Sequence, residues 1–264
     1  MYAIPKGIVF LLEKLRRKVV RNYKIPTLTI AGSDSSGGAG IQADLKTFSA
    51  IGTYGMSVIT AITAQNTEGV FDVEELSSKI IKEQIKAVCE DIMPNSIKIG
   101  MVSSPEIILD IAESLKKYPC KYIVVDPVMI SKSGYSLLRP EAKENLIKYL
   151  IPMAYIVTPN IPEAEEISNM KIETVEDMKK AGKEILKLGP KYVLMKGGHL
   201  EGDAVDILIG EDTFEIYKSE RIDRKNTHGT GCTISSAITS HLALGYDIKE
   251  AVKLSKEYIT EAIR

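Results

Sequence analysis

The 264-residue chain has no tryptophan, only four phenylalanines and three histidines, and three cysteines. Cys89, Cys120 and Cys232 are odd in number and show no CxxC spacing, so neither a disulfide framework nor a thiolate zinc site is implied, and a reducing, cytoplasmic setting fits best. An excess of charge is missing too. The formal net charge is -1 with 26% charged residues, which argues against a nucleic-acid partner held mainly by charge and points to a small ligand. The longest unbroken apolar run of the first 25 residues, 8–12, is far too short to span a bilayer, and no small-residue cleavage site follows it. Neither a signal peptide nor a membrane span is read from it, and no membrane partner is expected.

What the chain does have is an uneven start. Residues 1–25 carry seven basic side chains against Glu13, a net of +6 that leaves -7 for the remainder. Ile8, Leu11, Leu12, Leu15 and Val19 recur at helical spacing beside Arg16, Arg17, Lys18 and Arg21, which predicts a basic amphipathic extension distinct from a single domain over 26–264. Such a helix binds a membrane surface or partner, or packs on its own domain; both readings stay open.

From Thr27 onward, short β-branched runs alternate with amphipathic stretches. Strands are predicted at 27–31, 56–63, 96–100, 121–126, 155–157 and 191–195, with helices at 41–51, 76–92, 105–117, 140–150 and 162–167. The runs 204–209 and 214–218 flank Gly210-Glu211-Asp212 as a hairpin at a sheet edge, and two helices close the chain. This β/α rhythm predicts a mostly parallel sheet covered by helices. Ligands of such sheets bind beyond the carboxyl ends of the strands. There the sequence places 32–40 (GSDSSGGAG), Gln65-Asn66-Thr67, Gly100-Met101, Asp126-Pro127-Val128-Met129, 158–163 (TPNIPE) and Lys196-Gly197-Gly198-His199.

The run 226–233 (NTHGTGCT) puts two glycines and small hydroxyl residues directly before a helix-like segment. Glycines let amides converge and a helix start adds partial positive charge, so a phosphate or a developing oxyanion is favoured. A thiol in that first turn has its pKa lowered, which would make Cys232 a base. The same residues also suit an ordinary loop with a small buried cysteine. The loop at 32–40 lacks the G-x-G-x-x-G spacing and the Gly-Lys-Ser/Thr ending, which sets aside dinucleotide binding and a Walker-type ATPase. Asp126 and Glu163 could hold a hydrated magnesium ion, or serve as turn and helix-cap residues.

The segments 29–67, 98–101 (KIGM), 126–129 (DPVM), 158–164 (TPNIPEA), 195–199 (MKGGH) and 226–233 together resemble the hydroxymethylpyrimidine/phosphomethylpyrimidine kinases of thiamin biosynthesis, within the ribokinase-like superfamily. The resemblance runs from about Thr27 to the end of the chain. It implies a three-layer α/β/α fold with a mostly parallel central sheet and an edge hairpin. It also implies ATP-dependent phosphorylation of 4-amino-5-hydroxymethyl-2-methylpyrimidine and then of its monophosphate, with magnesium, in a cytoplasmic homodimer. Asp44 and Gln65 would hydrogen-bond the pyrimidine, Met101 and Val128 would sandwich its ring, and Gly32 would line the same pocket. Cys232 would accept the hydroxyl proton, while Gly229, Thr230, Gly231 and Cys232 would stabilise the transferring phosphoryl group. Lys196, Lys132, Asn160 and Thr230 would contact ATP, and Asp126 and Glu163 the magnesium ion. Residues 129–137 resemble a mobile flap over the site. A pyridoxal kinase shares several of these motifs, and a non-catalytic pyrimidine sensor would keep the pocket without turnover; both are competing expectations.

Overall fold

The computed structural model describes residues 25–130, 134–198, 204–219 and 228–264. The extension expected over 1–25 lies, apart from Ile25, outside the described residues.

Strand β1 (Pro26–Asp34) illustrates how the pattern becomes a layered fold. Successive side chains of a strand point to opposite faces. Leu28 and Ile30 enter one core, and Thr27 and Thr29 face the other way. The neighbouring β4 (Ser96–Ile99) repeats this, with Ile97 and Ile99 in that core and Ser96 and Lys98 opposite. The other parallel strands are β2 (Tyr54–Gln65), β5 (Tyr122–Val125), β6 (Ile156–Val157) and β7 (Tyr192–Lys196). With β3 (Val70–Glu75), β8 (Ala204–Gly210) and β9 (Thr213–Ser219) they form one sheet of order β3-β2-β1-β4-β5-β6-β7-β8-β9. Pairing is parallel from β2 through β7 and antiparallel at both edges.

Among the described residues there are eight α-helices: α1 (Gly40–Ile51), α2 (Ser78–Asp91), α3 (Pro105–Lys117), α4 (Ala142–Asn145), α5 (Ile161–Ser168), α6 (Val175–Leu186), α7 (Thr230–Ala243) and α8 (Ile248–Ile263). Helix α3 shows why they start where they do. Ser104 caps its N-terminus by accepting from Ile107 N–H, Pro105 occupies the first turn with Glu106, and Lys116 and Lys117 sit in the last turn. One large core joins α2–α6 to the sheet through residues such as Ile81, Ile108, Leu146 and Met178. A smaller one packs Ile234, Ile238 and Leu242 of α7 and Val252 of α8 on Val124, Ile156, Leu194 and Leu208.

The expected parallel sheet, edge hairpin and three layers are present. Two elements exceed the expectation: β3, which forms the second antiparallel edge, and α6. The helix predicted over 140–150 is interrupted. Ala142–Asn145 passes into a π-helical turn, Leu146–Leu150, and then a tight turn, Ile151–Met153, where Pro152 cannot continue the ladder.

Candidate active site

The carboxyl ends of β1, β4, β5, β6 and β7 open into a cleft of about 1180 Å³. Helix α7 forms one wall, with Gly229, Thr230, Gly231 and Cys232 at the cleft surface. Gly229 precedes the helix at φ +78°, and a Cβ there would stand 1.7 Å from Gly38 O, so only glycine permits this entry. The helix begins with no side-chain cap, which leaves its N-terminal amides and their partial positive charge at the site where an anion would sit.

Beside this turn lies a lysine–carboxylate cluster. Lys196 ends β7 and its Nζ donates to Asp126 Oδ1 at 2.9 Å, while Thr158 Oγ1 and Ser235 Oγ donate to the same carboxylate at 3.0 and 3.2 Å. A Cβ on Gly231 would be 3.5 Å from Lys196 Nζ and 4.0 Å from Asp126 Oδ2, so the first turn of α7 touches the cluster. Glu163 and Asn160 close a capping box at α5: Glu163 N–H donates to Asn160 Oδ1 and Asn160 N–H to Glu163 Oε2, each at 2.9 Å. The capping role weighed for Glu163 is therefore real, and it coexists with proximity to Asp126. Burial pushes the Glu163 carboxyl up to about 7, helped by the Asp126 charge and opposed by Lys196.

One expectation needs correction, and a second residue sits in a setting the sequence does not show. Cys232 is not a low-pKa thiol: burial drives it up, Asp44 and Asp126 add to that, and Lys98 and the Gly40 amide pull the other way. The helix terminus is outweighed because the sulfur of this partly buried residue lies among protein atoms and near two carboxylates. Asp44, expected at the pyrimidine, is engaged by protein groups. It is fully buried below the cleft, with Thr29 Oγ1 and Ser236 Oγ donating to it at 2.6 Å and Lys98 Nζ at 2.9 Å to each oxygen. Lys98 is fully buried as well, although it belongs to the lining of the cleft. Sequence reasoning missed Lys98, although a lysine between two isoleucines of a buried strand was its signal.

Gln65, Met101, Val128 and Gly32 all line the cleft. Gly32 and Met101 are in contact, since a Cβ on Gly32 would be 3.0 Å from Met101 Sδ. Two further residues went unassigned. Asp34, buried at the end of β1, accepts from Ser36, Gly38 and Ala39 amides and from the Ser36 hydroxyl, and His228 Nε2 lies 2.9 Å from its Oδ2. Burial raises its pKa, but the His228 and Ser36 hydrogen bonds outweigh that and hold it below the ordinary carboxylate value. In the expected flap, Ile130 pairs with Ser136, and Leu137 N–H donates to Met129 O at 2.9 Å. Lys132 lies outside the described residues.

The phosphomethylpyrimidine kinase family model matches residues 34–264. The hydroxymethylpyrimidine/phosphomethylpyrimidine kinase of Bacillus subtilis is 44% identical over 238 residues, covering 89% of this chain and 88% of that protein. The thiamine biosynthesis bifunctional protein of Geobacter sulfurreducens is 50% identical over 90% of this chain, which spans 49% of that longer protein. Among solved structures, phosphomethylpyrimidine kinase from Clostridium difficile 630 superposes with a TM-score of 0.84 at 76% identity, covering 91% of this chain and all of that one. An ADP complex of Bacillus subtilis pyridoxal kinase also reaches 0.84, at 42% identity over 90% of this chain and 91% of that one.

Proposed function

This chain belongs to the phosphomethylpyrimidine kinase family, and from that premise we propose how its cleft performs the reaction. The activity is that of a phosphotransferase of thiamin biosynthesis, acting on the hydroxymethyl group of 4-amino-5-hydroxymethyl-2-methylpyrimidine and then on the resulting monophosphate. The observation that carries the assignment of roles is the meeting of the uncapped α7 terminus, Cys232 and the Lys196–Asp126 pair on one side of the cleft.

ATP is the phosphoryl donor in this reading, in keeping with the ADP held by the similar pyridoxal kinase. Its γ-phosphoryl group would lie against the amides of Gly229, Thr230, Gly231 and Cys232, which match the charge that spreads over the transferring oxygens. Lys196, Asn160 and Thr230 would hold the remaining phosphates. Among the described residues no cluster of three acidic, histidine or cysteine side chains could grip a bare metal ion. Asp126 and Glu163, whose mutual repulsion helps raise Glu163, fit instead a magnesium ion that keeps most of its water. When bound, that ion neutralises phosphate charge.

In the first step the substrate oxygen attacks the γ-phosphorus as its proton passes to Cys232, and ADP leaves. The raised Cys232 pKa requires the thiolate to form in the assembled site, and Lys98 supplies the nearby positive charge that favours it. In the second step the nucleophile is a phosphate monoester, already largely ionised at neutral pH, so a base is less needed. Gln65 would read the aminopyrimidine edge, with Met101, Val128 and Gly32 against the ring. The enzyme would work in the cytoplasm as a homodimer, in which the exposed Ile62 and Phe71 of the β2–β3 edge are candidates for cover.

The deciding experiment is a magnesium–ATP assay with the aminopyrimidine and, in parallel, pyridoxal, with products resolved by mass. Diphosphate from the aminopyrimidine is expected. A higher kcat/KM for pyridoxal would reassign the substrate, and binding without ADP formation would indicate a sensor.

A further inference from the structure

We propose that His228, held by Asp34, fixes the orientation of the Gln65 amide and so makes the cleft selective for a ring edge that offers an acceptor beside a donor. This inference rests on the pyrimidine-binding reading of Gln65 and adds His228 as a positioning residue for specificity.

Asp34 is buried, and the hydrogen bonds that reach its oxygens from the loop are all donated: Ser36 N–H and Oγ–H to Oδ1, Gly38 and Ala39 N–H to Oδ2. A carboxylate among donors requires the imidazole nitrogen 2.9 Å from Oδ2 to be a donor as well, so His228 carries its proton on Nε2. Gln65 Nε2 is placed 3.4 Å from that same nitrogen, which would set two donors against each other. Only the amide oxygen is attractive there, as the minor partner of a shared proton whose main partner is Asp34.

The other end of the amide gives the same answer independently. Thr63 Oγ1 lies 2.7 Å from Ser33 O, to which it donates its single proton. The atom placed 3.1 Å from that hydroxyl is Gln65 Oε1, but the hydroxyl has no second proton to give it, so exchanging the amide oxygen and nitrogen puts an N–H donor where Thr63 can accept. Two neighbours on opposite sides thus impose one orientation: amide nitrogen toward Thr63, amide oxygen toward His228. Gln65 then presents to the cleft a second N–H on the β2 side and a second oxygen lone pair on the His228 side. The complementary ligand edge has an acceptor facing β2 and a donor facing His228, which a ring nitrogen next to an exocyclic amino group supplies.

The sequence around His228 is shaped for this contact. A Cβ on Gly38 would stand 2.6 Å from His228 Cδ2, so the imidazole packs over the glycine loop in space that any other residue would fill.

The test compares wild type with His228→Met, which keeps length and loses the donor, and His228→Gln, which restores an N–H at a similar reach. For His228→Met the KM for 4-amino-5-hydroxymethyl-2-methylpyrimidine should rise about tenfold, the worth of one well-placed hydrogen bond, with kcat changed less than about threefold. Pyridoxal should be little affected, so the selectivity ratio falls about tenfold, and His228→Gln should recover most of it. Equal losses for both substrates, or a loss in kcat alone, would overturn the proposal and leave His228 as a support of the anion pocket. A measurement on unmutated protein does not depend on variant folding or on turnover: imidazole 15N shifts should report the Nε2–H tautomer for His228. The Nδ1–H tautomer would refute the orientation even in a fully active kinase. If neither compound is phosphorylated, the function proposed above fails while the tautomer still decides this inference.

Discussion

At β1 and β4 the two faces of the sheet are opposites. On the α2–α3 side, Leu28, Ile30, Ile97 and Ile99 are completely buried among aliphatic neighbours. On the α1–α7 side the alternate residues of the same strands form a polar seam. Thr27 Oγ1 meets Thr53 Oγ1 at 3.1 Å, Thr53 meets Ser240 Oγ at 3.1 Å, and Ser96 Oγ donates to Thr239 O at 2.7 Å. Nearer the cleft the seam ends in Thr29, Ser236, Lys98 and Asp44. Among the described residues the buried side-chain polar atom without a partner is Ser103 Oγ, outside this seam. Burial of apolar area drives folding on either face, but a hydrogen-bonded seam also fixes geometry, because each misplaced polar atom costs about 1–3 kcal/mol. The face that is harder to build is the one that supports Cys232.

The largest effect should follow from breaking the seam's charge pair. Lys98 and Asp44 have no exposed side-chain surface, so Lys98→Met leaves a buried carboxylate uncompensated and should lower stability by about 3–5 kcal/mol. Adding Asp44→Asn should recover most of this in urea unfolding. A Lys98→Met protein as stable as the parent would remove the distinction between the faces. Next, Cys232→Ala should slow the first phosphorylation by about 10²-fold or more and the second by less, with both products quantified by mass. Equal losses would recast Cys232 as part of the anion pocket. A control from the apolar face should behave differently: Ile99→Val should cost about 0.5–1.5 kcal/mol without altering the ratio of the two steps. A shift in that ratio would mean that both faces tune the chemistry.

The same contrast explains what was legible in the sequence. Strand exits, the edge hairpin and α3 announce themselves through apolar alternation, glycine and Ser104-Pro105, and these were placed correctly. Helix α6 has a readable cap in Thr174 and Asp177, yet its buried stripe of Met178, Ala181, Gly182 and Ile185 includes two small residues that weaken the pattern. Strand β3 buries neither face and carries Asp72, Glu74 and Glu75, so its pairing with β2 is set by position rather than composition. At the site, the glycine-rich exits signalled which loops converge. The depth of a residue was not legible: Asp44 and Lys98 are both fully buried, and Lys98, read only as part of the 98–101 motif, belongs to the lining of the cleft.

The smallest predicted effect is a slope rather than a loss, and it extends the comparison to the interface of α7 with α8. His241 Nδ1 lies 3.0 Å from Ser255 Oγ, and burial pushes its pKa below the ordinary 6.5, opposed by its hydrogen bond with the Ala237 backbone and by the Glu250 charge. The unfolded chain therefore binds more protons than the native one once the pH falls below about 6.5. The stability contributed by neutral His241 is complete above that pH and is lost as acid titrates the unfolded chain, down to the depressed native pKa. His241→Gln keeps a polar side chain but cannot titrate. The difference in unfolding free energy between parent and variant should be nearly constant above about pH 7 and narrow as the pH falls below about 6.5, in the direction that reduces the parent's advantage. Parallel curves would show that this end of the seam tolerates an imidazolium, and that its polar character is not tied to a single protonation state.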